Sequence, residues 1–190
     1  MSVLFENGSL KVRELEERDK LHLVRWLQDP SVLEYYEGRD NPHSLQMVDD
    51  HFYNRDRHVA ACIFEWEETE LGYIQFYPLE EEEREKYGYL PGISVYGTDQ
   101  FIGESKCWGK GIGKLLVQSM ISYLIKEKGA DLVVMDPQTW NERAIACYES
   151  CGLQKRKLLP KNEYHEGEWR DAWLMEYDKK SDILVKKENS

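Results

Sequence analysis

A glycine-rich turn in the middle of the chain is the segment whose residue types and spacing most clearly suggest chemistry. The run Trp108-Gly109-Lys110-Gly111-Ile112-Gly113-Lys114 stands between a predicted strand and a predicted long helix. Alternating glycines let backbone N–H groups converge on one point without obstruction by Cβ atoms, and the helix start adds its positive dipole end. This combination predicts a pyrophosphate site, to which Lys110 and Lys114 add positive charge.

The spacing and position of this turn argue against the two commonest nucleotide-binding motifs. The P-loop spacing G-x-x-x-x-G-K-[ST] is not present in the sequence. A Rossmann turn follows the first strand of a βαβ unit, whereas this turn comes past mid-chain, after several predicted antiparallel strands. The pyrophosphate is therefore expected to belong to another cofactor.

This turn and a second motif together resemble the GCN5-related N-acetyltransferase (GNAT) superfamily. The acetyl-CoA signature of that family, Gln/Arg-x-x-Gly-x-Gly/Ala, is matched at residues 108–113, with Trp108 in place of the usual Gln or Arg. The second signature, N-x-x-A-x-x-x-Y-x-x-x-G-[FL], is matched at residues 141–153. The resemblance covers about residues 10–178 and implies acetyl-CoA as the cofactor.

The resemblance assigns roles to residues of both motifs. Asn141 is expected to contact the pantetheine arm, and Tyr148 is expected to act as general acid for the departing thiolate. The pantetheine is expected to pair with the backbone of residues 100–102 as a strand would. The predicted cofactor-binding residues are Gln100, Phe101, Ile102, Trp108, Gly109, Lys110, Gly111, Ile112, Gly113, Lys114, Asn141 and Ala144.

Within the superfamily, the sequence most resembles aminoglycoside 6′-N-acetyltransferases. The segments that carry this resemblance are residues 25–27, 33–38, 95–104, 136–137, 143–145, 165–167 and 174–177. They imply acetyl transfer to the 6′-amine of a polycationic aminoglycoside, which confers antibiotic resistance. Further candidate substrate-binding residues, given by the same resemblance, are Tyr35, Tyr36, Gln75, Tyr77, Tyr96, Glu166 and Asp171.

Two aspartates are candidates for handling the ammonium groups of the acceptor. An alkyl ammonium must lose a proton before its nitrogen can attack a thioester. Asp99 interrupts a predicted strand before the glycine-rich turn and is the predicted base; the alternative is a residue that satisfies a bulge. Asp136 follows a buried strand, where open sheets place ligand clefts, and is expected to hold a second ammonium. The alternative for Asp136 is a helix or turn cap before Asn141. Backbone N–H groups of residues 97–102 are expected to polarise the thioester carbonyl.

Hydrophobic periodicity predicts the elements that position these residues. Predicted strands lie at residues 10–15, 58–66, 70–77, 92–102, 132–135 and 169–177. Predicted helices lie at residues 16–27, 45–53, 111–129 and 141–151, with Pro30 stopping the first and Ser44 capping the second. Residues 80–86 are a solvated loop or a short helix, and Gly97 marks a bulge or a close backbone approach. The fold class is α/β (α+β), with a mixed, mostly antiparallel sheet flanked by helices; by resemblance it is splayed at the acetyl-CoA site.

Composition favours a single domain and a cationic partner. A hydrophobic content of 41% in 190 residues fits one acetyltransferase domain at residues 1–178, followed by a polar tail at residues 179–190. With 25 Lys+Arg and 36 Asp+Glu, the net charge of −11 repels nucleic acid and attracts cations. The sequence lacks an apolar run of about 18 residues, a secretory signal and metal-ligand spacing of its cysteines. We therefore expect a cytoplasmic monomer or homodimer that binds neither a membrane nor a metal.

Two other functions stay open at this point. The acceptor could be a polyamine, a siderophore precursor or a protein amino group, because an acidic surface attracts these cations equally well. A non-catalytic acyl-CoA-binding module is the alternative from another class. The presence of Asp99, Asn141 and Tyr148 favours an enzyme over such a module.

Overall fold

Eight strands form one mixed sheet in the computed structural model, which describes residues 2–54 and 58–180. In chain order the strands are β1 (Val3–Asn7), β2 (Leu10–Glu14), β3 (Ala60–Trp66), β4 (Thr69–Pro78), β5 (Val95–Ile102), β6 (Leu132–Met135), β7 (Gln154–His165) and β8 (Glu168–Asp178). Their order in the sheet is β1-β2-β3-β4-β5-β6-β8-β7. The pairs β1–β2, β2–β3, β3–β4 and β6–β8 are antiparallel, whereas β5–β6 is parallel. The predicted mixed, mostly antiparallel sheet is confirmed.

The described residues also form six α-helices. These are α1 (Lys20–Trp26), α2 (Pro30–Leu33), α3 (Leu45–Val48), α4 (Glu81–Tyr87), α5 (Ile112–Glu127) and α6 (Glu142–Ser150). The predicted cap of α3 is confirmed, because Ser44 Oγ accepts a hydrogen bond from Met47 N at 3.2 Å. Pro30 has a different role from the one predicted. The first helix ends at Trp26, and Pro30 instead starts α2, where its missing N–H is not needed.

Local patterns identified most of these elements, and two strands were missed. The segment at residues 80–86, left open between loop and helix, is α4 with a capping box between Glu80 and Glu83. The missed strands are β1 and β7, which the sequence analysis had left unassigned. The last strand ends at Asp178, and most of the predicted polar tail, residues 181–190, lies outside the described residues.

The chain divides into two compact units. The first unit comprises Met1–Phe76, Asp99–Leu115 and His165–Glu168, and the second comprises Tyr77–Thr98, Leu116–Tyr164 and Trp169–Ser190. The single acetyltransferase domain at residues 1–178 stays a prediction. Across the described parts of both units, no helix combines the length and apolar character that a membrane span requires.

The core of the first unit is rich in aromatic residues. Helices α1 to α3 and the segment after them contribute Leu23, Trp26, Leu27, Val32, Leu33, Val48 and Phe52, and the sheet contributes Ile63, Tyr73 and Phe101. Trp26 and Phe101 meet edge to face, with ring centroids 6.2 Å apart. Burial of these large side chains fixes the strand residues from which the site candidates of this unit extend.

The core of the second unit is built around β5, β6 and β8. Its buried cluster includes Leu79, Tyr87, Tyr89, Val95, Leu132, Val134, Leu159, Ala172 and Leu174. All four residues of β6 are buried, as the continuous apolar run predicts. The parallel register pairs Val95 with Leu132 and Gly97 with Val134, while β5 continues to Ile102.

Candidate active site

The glycine-rich turn has the conformation that a pyrophosphate cradle requires. Gly109 and Gly111 adopt left-handed backbone angles, with φ of 72° and 81°. Among the described atoms, none lies within 4 Å of a Cβ built on either glycine, so this face of the turn is open. The turn leads directly into α5, a helix of 16 residues, and Lys110 and Lys114 are exposed beside it. Backbone donors, helix dipole and lysines therefore fit a diphosphate.

Trp108 anchors this turn, at the position where the family signature usually has Gln or Arg. Its indole Nε1 donates a hydrogen bond to the carbonyl oxygen of Ile102 at 2.9 Å. Its ring meets Tyr35 edge to face, with centroids 5.9 Å apart. Trp108 thus ties the turn to the end of β5. The Ile102 carbonyl, which lies in the segment predicted to pair with pantetheine, already accepts this bond.

Glu104 is a second anchor of the turn, and sequence reasoning did not single it out. Its carboxylate accepts a hydrogen bond from Trp26 Nε1 at 3.0 Å and forms an ion pair with Arg25. Although partial burial opposes ionisation, the Trp26 hydrogen bond and the Arg25 charge hold the pKa of Glu104 below its ordinary value. The ionised carboxylate therefore ties Glu104, the residue that precedes the short turn at Ser105–Cys107, to α1.

Asp99 lies on β5 in the first unit, and its carboxylate is hydrogen-bonded to a neighbouring strand. Gln75 Nε2 on β4 donates to Asp99 Oδ2 at 2.8 Å. The structure thus brings together the predicted base and one of the predicted substrate-binding residues. The side chain of Asp99 is half-buried.

The aromatic candidates of the first unit pack against its core. Phe101 is 7% exposed, and Tyr36 lies over it with ring centroids 4.7 Å apart. The side chain of Phe101 is therefore part of the core, and a contact between its backbone and the cofactor stays a prediction. Tyr35 and Tyr36 are both half-buried, so part of each ring can still contact a ligand.

Glu166 is engaged by an arginine that sequence reasoning did not identify. Arg39 Nε and Nη2 donate to the two carboxylate oxygens of Glu166 at 2.6 and 2.7 Å, and the Arg39 backbone N donates at 3.0 Å. These Arg39 bonds lower the pKa of Glu166 to about 2. As a substrate ligand Glu166 stays a prediction, and an acceptor ammonium would share this carboxylate with Arg39.

The acidic candidates of the second unit also have partners within that unit. Asp136 Oδ2 accepts a hydrogen bond from Asn162 Nδ2 at 3.0 Å. Asp171 Oδ1 accepts from Lys161 N at 2.8 Å. Of the alternative roles of Asp136, the helix cap is wrong, because the cap of α6 is Asn141, whose Oδ1 accepts from Ala144 N at 3.2 Å, and the turn cap stays a prediction.

Three tyrosine candidates lie in the second unit. Tyr77 lies against Gly97, where a Cβ would come within 2.6 Å of the tyrosine ring. The predicted close backbone approach at Gly97 is thereby confirmed, because any larger residue would displace this ring. Tyr96 on β5 and Tyr148 on α6 are both half-buried. Their roles at the site stay predictions.

Comparison with known proteins places this fold and these motifs in one family. Residues 16–160 match the acetyltransferase (GNAT) domain. The chain therefore belongs to the GNAT acetyltransferase family and is an acyltransferase. Acetyl-CoA, the cofactor implied by the sequence motifs, is confirmed as the acyl donor.

Relatives of known name agree with this assignment. An aminoglycoside N(6′)-acetyltransferase type 1 of Klebsiella pneumoniae is 27% identical over 160 residues, which span 79% of this chain and 76% of the relative. The crystal structure of aminoglycoside acetyltransferase AAC(6′)-Ib with coenzyme A has a TM-score of 0.75 at 23% identity, covering 94% of this chain and 99% of that one. Spermidine N-acetyltransferase of Vibrio cholerae, with coenzyme A and spermine, has a TM-score of 0.74 at 15% identity, covering 93% and 99%. Both structures share the fold of this chain.

Proposed function

We propose that this acyltransferase transfers the acetyl group of acetyl-CoA to an amine of an aminoglycoside, at the 6′ position, and thereby confers resistance. The observation that carries the proposal is the 27% identity, over 79% of the chain, to an enzyme with that activity. The net charge of −11 supports a polycationic acceptor. A cytoplasmic location and a monomeric or homodimeric state are parts of the same proposal.

Acetyl-CoA, when bound, supplies an activated acetyl thioester, and the open face at Gly109 and Gly111 would hold its diphosphate. Lys110 and Lys114 would balance the phosphate charge. Asn141 and Ala144 are proposed to hold the pantetheine portion, on the motif alone. Backbone N–H groups of residues 97–102 would stabilise the negative charge that develops on the carbonyl oxygen.

Proton transfers are the remaining task of the protein. The Asp99 carboxylate would remove a proton from the acceptor ammonium, directly or through water, and leave a neutral amine whose lone pair can attack. As the C–S bond breaks, Tyr148 would give its hydroxyl proton to the departing sulfur, and the second proton lost by the amine nitrogen would restore that hydroxyl. Since a thiol has a pKa near 8.5, the sulfur leaves with little help, and loss of this hydroxyl should slow turnover without abolishing it.

The acceptor ammonium groups would be held by carboxylates and aromatic faces. Asp136 and Glu166 offer charge-assisted hydrogen bonds, and the Asp171 carboxylate offers a third. The rings of Tyr35, Tyr36, Tyr77 and Tyr96 offer faces for sugar rings and for cations. Gln75 would contribute a side-chain amide.

The deciding experiment measures coenzyme A release from acetyl-CoA with kanamycin, spermidine and a lysine peptide in parallel. We expect the highest kcat/KM with kanamycin, and NMR of the product should place the acetyl group on the 6′ nitrogen. A higher kcat/KM with spermidine would assign the enzyme to polyamines. Tight acetyl-CoA binding with no turnover of any amine would instead indicate a non-catalytic module.

A further inference from the structure

The carboxylate of Asp99 is held by a series of hydrogen bonds that begins in the core of the first unit. Tyr73 OH donates to Gln75 Oε1 at 2.8 Å, and Gln75 Nε2 donates to Asp99 Oδ2 at 2.8 Å. Tyr73 and Gln75 are two residues apart on β4, so their side chains share one face of the sheet. The series therefore connects a phenol that is 0% exposed to the predicted base.

The direction of this series is fixed by the chemistry of its members. An ionised carboxylate can only accept hydrogen bonds, so Gln75 must turn its amide nitrogen toward Asp99. Its amide oxygen then faces Tyr73, and the phenol, which can donate or accept, must donate. Without the phenol, the Gln75 amide loses the bond from Tyr73 that holds its oxygen, so the direction in which its nitrogen meets Asp99 is less tightly fixed.

The phenol is held in place by packing. The ring of Tyr73 meets Phe52 edge to face at 5.0 Å and stacks on Phe101 at 5.8 Å between centroids. Phe101 is two residues from Asp99 on β5, so the strand that carries the base also contacts the ring that orients it. The position of the hydroxyl is therefore set by core side chains rather than by solvent.

We infer that Tyr73 is a positioning residue for acetyl transfer: it fixes the amide of Gln75, which in turn aims the Asp99 carboxylate at the acceptor ammonium. This inference rests on the proposed function. It adds a residue that none of the sequence motifs contains, and it gives Gln75 an orienting role besides its predicted contact with substrate.

The first test is Tyr73→Phe, which removes one hydroxyl and keeps the ring. We expect kcat with kanamycin to fall about 5- to 20-fold, the effect of a misdirected hydrogen bond to a charged group, while the KM for acetyl-CoA stays unchanged. The matched control is Tyr53→Phe in the same unit, where the lost bond is a 2.8 Å donation to the Glu16 carbonyl oxygen. This control should keep wild-type kcat.

A double-mutant cycle separates an action through Gln75 from a general effect on folding. Gln75→Met removes the amide and keeps an unbranched side chain. If Tyr73 acts through Gln75, the double variant Tyr73→Phe/Gln75→Met has the same kcat as Gln75→Met alone. If the kcat losses of Tyr73→Phe and Gln75→Met instead multiply in the double variant, the two residues act independently and the inference is overturned.

A measurement without substrate or cofactor tests the same contact. In the ligand-free protein, the side-chain amide protons of Gln75 should shift and broaden in Tyr73→Phe but not in Tyr53→Phe, as seen by ¹⁵N-correlated NMR. Unchanged amide signals in Tyr73→Phe would overturn the inference.

Failure of the inference can be told from failure of the proposed function. An inactive wild-type protein, or Asp99→Ala with full kcat at neutral pH, would remove the proposed reaction or its base, and the inference with them. An active wild type, an impaired Asp99→Ala and an unimpaired Tyr73→Phe would leave the function standing and reject only the role of Tyr73.

Discussion

Trp108 shows how the glycine-rich turn proposed to bind acetyl-CoA is held without the polar residue that usually opens the signature. The indole donates to the Ile102 carbonyl and packs on Tyr35, so contacts within the protein hold the start of the turn. Trp108 thus makes internal contacts at the position where the signature usually has Gln or Arg, and its predicted contact with the cofactor stays a prediction. In the proposed site, we therefore expect binding of the diphosphate to depend chiefly on the glycines and the helix start.

Gly111→Val tests this dependence. With φ of 81°, residue 111 has a conformation that a β-branched side chain tolerates poorly, and the new side chain would occupy the open face of the turn. We expect the Kd for acetyl-CoA, measured by titration calorimetry, to rise at least about tenfold, which corresponds to about 1.4 kcal/mol.

Gly129→Val is the matched control for that measurement. Gly129 also has a positive φ, of 69°, and open space around its Cα, but it follows the C-terminal end of α5. It should lose a similar amount of thermal stability and keep the wild-type Kd. Equal losses of affinity in both variants would mean that the effect of Gly111→Val is on folding rather than on the cradle.

At the scale of elements, β2, β3 and the start of the first helical segment are joined by a buried ionic cluster. Arg13 donates to both oxygens of Asp19 at 2.7 and 2.9 Å and to Glu65 at 2.6 Å, and Arg13 and Asp19 are fully buried. Although burial opposes ionisation, hydrogen bonds from Arg13 and from the Glu16 backbone lower the pKa of Asp19. Removal of Arg13 would leave two carboxylates in the core without their guanidinium.

Arg13→Met should therefore lower the free energy of unfolding by about 3–5 kcal/mol, as measured with urea. Arg18→Met is the control, because Arg18 pairs with Glu16 at 2.8 Å on the surface and is 52% exposed. That pair should contribute at most about 1 kcal/mol. A loss below this value in Arg13→Met would contradict the structural role of the cluster.

The pH dependence of unfolding follows from the same cluster. Because the folded-state pKa of Asp19 lies below its ordinary value of 3.8, the pair stabilises the fold fully above that pH and loses its contribution as pH falls through the folded-state value. Wild-type stability should drop on acidification in this range. Arg13→Met should show a weaker drop, since the paired state is absent from the start.

How far the sequence predicts the fold differs between elements for a physical reason. The buried strand β6 carries a continuous apolar run and α5 carries apolar periodicity, so both were predicted, whereas β7 was not. β7 is the last strand of the sheet and is mostly exposed, with Leu159 and His165 as its buried positions. Edge strands of this kind carry lysines and a proline, here Pro160, instead of an alternating pattern.

The same distinction holds for the candidate site. The glycine-rich turn and Asp99 are visible in the sequence because a local pattern marks them. The bonds from Gln75 to Asp99 and from Arg39 to Glu166 join residues 24 and 127 positions apart, and no local pattern encodes such pairs. The packing of the elements decides which carboxylate accepts a hydrogen bond and which side chain donates it.

At the scale of the whole molecule, the net charge of −11 acts in opposite directions on acetyl-CoA and on the proposed acceptor. A polycationic acceptor is attracted, whereas acetyl-CoA, a polyanion, is repelled everywhere except at local positive groups such as Lys110 and Lys114. Salt at about 0.15 M shortens the range of both effects to about 8 Å. The two substrates should therefore respond to ionic strength in opposite directions.

We expect kcat/KM for kanamycin to fall several-fold between about 20 and 200 mM salt, with little change in kcat, because salt screens the field that raises the encounter rate. The KM for acetyl-CoA should not rise in parallel.

A matched variant with the exposed residues Glu81, Glu82 and Glu85 of α4 changed to Gln has a net charge of 25 − 33 = −8. It should have a lower kcat/KM than wild type at low salt and the same value at high salt. If kcat/KM for kanamycin is independent of salt, the acidic surface does not steer the acceptor, and recognition rests on the carboxylates that touch it.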